Sequence, residues 1–450
     1  MSDSPAPRTA LKRDPNFRWL MAGSVMSSLG DQLTLVALPW LVLQLTGSAL
    51  GLGLVIALMG IPRAVFILLG GAMVDRHSPK RILMISKFAN ALLLGMVAVF
   101  VLVVEPGATW QLGPTLALTM SPQVILVIVG VLAFAIGMAQ ALGIPSATSI
   151  MPQALASEHL EAANGMLMGL RQLSMLAGPL LAAGLIAVSG EGAGHLADAR
   201  GLAWAFGIDC FTFVASAWTL SKVSLRARAG APGPQQAILR AVGAGLRMVW
   251  NDVPLRMCFI YWGIVALFIG GSMQVALPVL ASERLHGASS LGLLMGASGA
   301  GSVLGMLVAA IAGKRLRLAS FGATLLLVDA VSGLLVAPLG SVESTWQAAL
   351  LLLPLGLLSG FMQVTVYTWI QRRVPVHMMG RAMSIFMFIF MGLAPLSAAG
   401  TGWLLTLVSL PVLFLGGGAM LVAVAACAWL LTPIRAIEAE RPAPAPDAAL

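Results

Sequence analysis

Twelve times along this 450-residue chain a run of some twenty apolar residues closes against a short polar gap, a pattern that very few folds accept. The runs fall near 18–45, 50–74, 82–105, 123–146, 164–188, 203–224, 256–281, 289–312, 320–340, 347–371, 382–407 and 411–432. A bilayer core is crossed by about 20 helical residues. In lipid every backbone N–H and C=O must be bonded within its own segment, which continuous apolar runs achieve as helices. Barrel strands would instead alternate over ten-residue stretches. Hydrophobic residues make up 59% of the chain and charged residues only 10%, against about 25% charged in soluble domains. The expected class is an all-α polytopic membrane protein with the lipid bilayer as its solvent.

The net charge of +9 does not point to nucleic acid, because the 26 Lys and Arg are dispersed among the gaps between runs. Their placement is a topology signal: alternate gaps hold nearly all of them, and the other gaps hold only Arg200 and Arg284. Both termini and the central connector are therefore expected in the cytoplasm of a bacterial-type plasma (inner) membrane, with an even number of crossings. The expected plan is a cytoplasmic tail at 1–17, a six-helix bundle at 18–224, a linker at 225–255, a second six-helix bundle at 256–432 and a disordered cytoplasmic tail at 433–450. Within the linker, Ile238, Leu239, Val242, Leu246, Val249 and Trp250 recur at helical spacing, as in an interfacial amphipathic helix.

Internal repetition supports two equivalent halves. Pro179-Leu-Leu-Ala-Ala-Gly184 in the fifth run recurs as Pro395-Leu-Ser-Ala-Ala-Gly400 in the eleventh, six helices later. An even number of helices per repeat gives both halves the same orientation, related by a pseudo-twofold axis along the membrane normal, with a path between them.

The second run closes on Gly70-Gly-Ala-Met-Val-Asp-Arg-His-Ser-Pro-Lys-Arg81. Here the chain resembles the major facilitator superfamily, whose loop between helices two and three carries a Gly, an Asp-Arg pair four residues later and then a basic cluster. Gly71, Asp75, Arg76, Lys80 and Arg81 match that pattern, while Ser78 and Pro79 depart from it. The resemblance implies that Asp75 latches the cytoplasmic face against the start of helix eleven, at Gly380-Arg381, as an anion favours a helix N-terminus. In the fifth run, Gly165, Ser174, Gly178 and Pro179 follow the spacing of the helix-five motif of the family's drug and proton antiporters.

Asn16-Phe-Arg-Trp-Leu, Ser27-Ser-Leu-Gly-Asp31, Ala163-Asn164, Ile208-Asp209 and Thr212-Phe213 narrow the likeness to the enterobactin-exporter and macrolide-efflux branch, from about residue 15 to 432. That resemblance implies a monomeric exporter of a small, amphiphilic drug, antibiotic or siderophore by proton antiport, with the proton gradient in place of a cofactor. An importer of a small metabolite and a lysolipid or lipid flippase on the same fold are the alternatives.

Charged residues inside apolar runs cost about 2.5–3.5 kcal/mol each at a helix centre and face a partner or a wet cavity. Asp31, Arg63 and Arg171 are the candidates for proton coupling or substrate contact, Asp31 first because it lies mid-span in helix one. Asn164, Asp209 and Asp329 are assigned to hydrogen bonding between helices. Cys210, Cys258 and Cys427 are too far apart in sequence for a metal or redox motif, and no His-Glu-x-x-His, Gly-x-Ser-x-Gly or phosphate-binding loop occurs, so neither an enzyme nor a primary pump is expected.

Overall fold

Each apolar run becomes one helix, and the residues at its ends show why it starts where it does. Pro15 opens the first helix behind Asp14, whose carboxylate accepts from the Asn16 and Phe17 amides. Ser121-Pro122 and Ser344-Gln347 open two others, the latter as a reciprocal capping box. The computed structural model describes residues 11–76, 78–111, 117–188, 195–225, 238–285, 287–316, 320–375 and 378–438. Within them the chain runs through α1 (Pro15–Thr46), α2 (Ala49–Arg76), α3 (Pro79–Val103), α4 (Pro122–Ala154), α5 (Leu160–Val188) and α6 (His195–Ser221). The second half comprises α7 (Val253–Glu283), α8 (Ala288–Leu316), α9 (Phe321–Ser341), α10 (Thr345–Arg373), α11 (Met379–Leu404) and α12 (Leu410–Leu431). Eleven of these are long and apolar enough to cross a membrane among the described residues; α2 is helical over 28 residues, its described apolar part being Ala49–Val65.

Several features are not legible in the chain. A two-stranded antiparallel hairpin, Thr109–Gln111 with Ala117–Thr119, joins α3 to α4. A π turn at Ala266–Gly270 interrupts α7 where Gly271 presses on the α11 backbone beside Ala394. Ser78 and Pro79, the two departures from the loop pattern, form the N-cap and first turn of α3, where a proline lacking an N–H is accommodated. The tail expected to be disordered from 433 is seated as far as Glu438. Ile434 and Ile437 are buried, the Gly322 amide donates to the Ile437 carbonyl at 3.1 Å, and the Trp369 indole donates to the Glu438 carbonyl at 3.2 Å.

How the core is divided defines the shape. At one end a single apolar core runs through both halves: Leu38, Leu41 and Val55 with Ile186, Val275, Leu280, Leu291 and Phe414. At the end that carries Pro15 and Leu431 there are two separate cores. Leu11, Phe17, Ile150, Leu155 and Leu220 belong to the first half, and Leu255, Phe259, Trp369, Phe386 and Ile434 to the second. Among the described residues the halves therefore share a core at one end and keep separate cores at the other, leaving a funnel open on the side of the termini.

The seal is made by glycines against the repeated motif. On α8, a Cβ added to Gly292 would overlap Ala183 and stand 2.7 Å from the Pro179 carbonyl of α5. On α2, one added to Gly53 would stand 2.6 Å from the Ala398 carbonyl of α11, and one added to Gly60 would overlap Pro395. The two copies of Pro-Leu-x-Ala-Ala-Gly thus occupy equivalent places, each packed on a helix of the opposite half.

A different set of glycines holds the second half together. Gly301 and Gly305 on α8 meet the backbone at Leu353 and Leu357 of α10, while Gly356 and Gly360 on α10 meet the backbone at Ser298 and Ser302 of α8. With no net hydrophobic drive between helices in lipid, such close backbone approach supplies the packing energy. Gly305→Leu is expected to lower stability in detergent by about 1–3 kcal/mol through overpacking, read as a drop in Tm. An unchanged Tm would show that the α8 and α10 backbones do not approach this closely.

Candidate functional site

Polar groups from five helices of the first half converge on the funnel. Asp31, midway along α1, is solvent-accessible. The Gln140 amide of α4 donates to Asp31 Oδ1 at 3.4 Å, and its carbonyl oxygen accepts from the Arg63 guanidinium of α2, so one side-chain amide links carboxylate to cation. Arg63 Nε is buried and has no hydrogen-bond partner among the described residues. From α3, Lys87 Nζ stands 3.4 Å from Ser27 Oγ, one turn before Asp31 on α1, and 5.6 Å from the Phe213 ring centroid. Arg171 of α5 is exposed to the funnel, and the charges of Arg63, Lys87 and Arg171 all act on Asp31. Tyr367 of α10, in the second half, lies within electrostatic range of Arg171. Tyr367 leans on Phe386 at 5.4 Å, which touches Trp262 and Phe390. On the second half, Tyr367 and Phe390 are the accessible edge of an aromatic group whose Phe386 and Trp262 are buried in the core of that half.

Of the residues singled out from sequence, Asp31, Arg63 and Arg171 are brought together. Two further members of the cluster escape sequence reasoning. Gln140 is neutral and barely interrupts the apolar run of α4. Lys87 reads as a charge of the loop before α3, yet it lies eight positions past Pro79, about 12 Å along the helix.

Asp209 and Asp329 both bond to a neighbouring helix. Asp209, 1% exposed, accepts from Thr34 of α1 and, at 3.2 Å, from Thr212. Gly30 makes this possible, since a Cβ there would overlap both the Asp209 carboxylate and the Thr212 hydroxyl. Asp329 accepts from the Tyr261 hydroxyl of α7 at 2.7 Å. Asp209→Ala is expected to cost about 0.6–1.7 kcal/mol of thermal stability, the range of intramembrane hydrogen bonds, with Asp209→Asn closer to the parent. Equal losses for both variants would point to the charge rather than the bond.

The helix-five series divides among three tasks. Asn164 and Gly165 are exposed at the open end, Ser174 is buried, and Gly178 packs on the Gln32 side chain of α1, next to Asp31. Pro179 belongs to the seal. In the loop motif, α2 continues through Gly71, Asp75 and Arg76, whose side chains lie outside the described ones. Lys80 donates to the Ser221 and Val223 carbonyls at 2.9 and 2.6 Å, closing the C-terminus of α6. Arg81 is exposed, and Arg381 packs its stem on Gly245 of the connector helix (Ile238–Asn251) and donates to Met378 Sδ at 3.1 Å.

Comparison with known proteins agrees with this architecture. The family model described as Major Facilitator Superfamily matches residues 20–399. The multidrug efflux pump Tap of Mycolicibacterium fortuitum is 27% identical over 431 residues, covering 91% of this chain and 95% of that protein. The enterobactin exporter EntS of Salmonella typhimurium is 24% identical over 373 residues, covering 82% and 81%. Among solved structures, a D-xylose-proton symporter superimposes with a TM-score of 0.67 at 12% identity, covering 93% of this chain and 98% of that one.

Proposed function

The chain belongs to the Major Facilitator Superfamily, and from that premise we propose that it exports a small amphiphilic molecule, a drug, antibiotic or siderophore, by proton antiport. It is a transporter and not an enzyme. The observation that carries the proposal is Asp31, a carboxylate held by Gln140 and faced by three cations at the bottom of a funnel that is open at one end and sealed at the other. Such a group is reached by protons from the open side only. Export as the direction rests on the likeness to Tap and EntS.

In this reading the funnel opens to the cytoplasm, where both termini lie, and the two halves rock about the Asp31 level. Protonation of Asp31 weakens its hold on the surrounding cations and so changes the relative stability of the two states; only such differential interaction moves the equilibrium. Asp75 and the start of α11 close the open end in the alternate state, and the seal at Gly53, Gly60 and Gly292 parts. The protein works as a monomer.

Transport into inverted membrane vesicles tests the proposal. Accumulation of a siderophore or antibiotic that collapses when the pH gradient is dissipated is the expected result. Accumulation only in right-side-out vesicles would make the protein an importer, and translocation of lysolipid alone would make it a flippase.

A further inference from the structure

The connector helix, Ile238–Asn251, has two faces that the structure treats differently. Gly245 packs on Arg381 and Ile385 of α11, and Val249 is buried in the core of the second half. Leu246, Arg247 and Trp250 point away and are exposed. A built corner holds them there. Asp252 caps α7 by accepting from the Leu255 amide at 3.1 Å, and also accepts from Arg373 Nε at 2.9 and 3.1 Å. Arg256, one turn into α7, folds back to donate to the Trp250 carbonyl at 3.1 Å and lays its guanidinium over the Trp250 ring, 5.5 Å from the centroid.

This corner continues a surface already committed to lipid. On α7 the exposed apolar side chains Val253, Ile260, Ile264 and Leu267 fall at helical spacing along one face of a membrane-crossing segment. Trp250 and Leu246 extend that stripe past the end of the span, where an indole prefers the headgroup level. Two arginines, 247 and 256, flank it, and no carboxylate faces them on the connector helix, whose only polar residues besides its arginines are Trp250 and Asn251.

We infer that Trp250, Arg247 and Arg256 form a binding site for an anionic phospholipid headgroup, which pins the connector helix to the bilayer surface at the open end of the funnel. The acyl chains lie along Val253 and Ile260, and the phosphate is shared by the two guanidinium groups, Arg256 being held in place by its stack on the indole. Because the opposite face of the same helix packs on α11, lipid occupancy restrains the second half at the end where the halves must close. The inference stands on this corner and is independent of the transported molecule.

The test uses the full chain in nanodiscs of phosphatidylcholine containing a small fraction of brominated phosphatidylglycerol or, in parallel, brominated phosphatidylcholine. The Trp250 contribution is isolated as the emission difference between the parent and Trp250→Phe, which keeps an aromatic ring at the corner. Quenching of that component by the anionic lipid at a mole fraction several-fold lower than by the zwitterionic lipid is expected. Arg247→Gln and Arg256→Gln should each reduce the preference about fivefold, in line with the usual surface contribution of one arginine. Equal quenching by both lipids, no quenching of the Trp250 component, or a preference that survives both arginine substitutions would overturn the inference. Displacement of the lipid by millimolar inorganic phosphate would likewise overturn it, by showing an ion site in place of a lipid site.

Discussion

Leucine in place of Gly292 or Gly60 abolishes vectorial transport and closes the funnel. At both positions a Cβ alone already overlaps the opposite half, Ala183 in one case and Pro395 in the other. Neither partner can turn aside, since the Ala183 methyl has no alternative rotamer and the Pro395 ring is tied to its own backbone. Overpacking of this kind costs about 1–3 kcal/mol per site. That penalty falls only on the state in which the sealed end is closed, so it moves the two-state equilibrium by about five- to more than a hundredfold. The measurement is labelling of a cysteine placed at Gly165, which is exposed in the funnel, with a membrane-impermeant maleimide. Labelling should fall steeply in the Gly292→Leu and Gly60→Leu backgrounds while the protein stays folded. Gly305→Leu, which disturbs packing within one half, should leave labelling unchanged. If Gly292→Leu labelled like the parent and still transported, the helices would not be sealing where they touch.

Asp31→Asn removes proton-driven accumulation by more than about tenfold while substrate exchange across a membrane without a gradient persists. Asparagine resembles the protonated carboxyl group in size and hydrogen bonding but cannot release a proton, so the conformational equilibrium loses its dependence on pH. The substitution also leaves Arg63, Lys87 and Arg171 without the carboxylate they face. Because Asp31 and Arg171 are exposed, screening keeps any change in stability within about 1 kcal/mol. Asp31→Asn combined with Lys87→Gln should keep stability near that of the parent without recovering coupling, which separates an electrostatic contribution from the proposed proton transfer. Unaltered accumulation in the single variant would remove Asp31 from the mechanism.

The convergence of Asp31, Arg63 and Arg171 is legible because a charge stands out in an apolar run, where its cost demands a reason. Gln140 and Lys87 are not legible, for opposite causes. An amide costs little enough to pass unnoticed, and a lysine near a helix end carries the same signal as a topogenic loop charge. The repeat at Pro179 and Pro395 is visible as symmetry, yet its task is hidden. What it packs against, Gly292 and the Gly53 and Gly60 pair, lies far away in the chain and shares no pattern with it.

Hydrophobic run length determines by itself that this chain is a bundle of membrane helices, because lipid leaves the backbone no other way to satisfy its hydrogen bonds, and the repeat at Pro179 and Pro395 adds that the bundle has two like halves. Which end of the bundle is sealed, which polar groups share the funnel and which glycines face an opposing half are decided by tertiary packing alone. Those outcomes depend on close contacts between segments far apart in sequence, and a hydropathy pattern, which only distinguishes lipid from water, carries no information about which helix lies next to which.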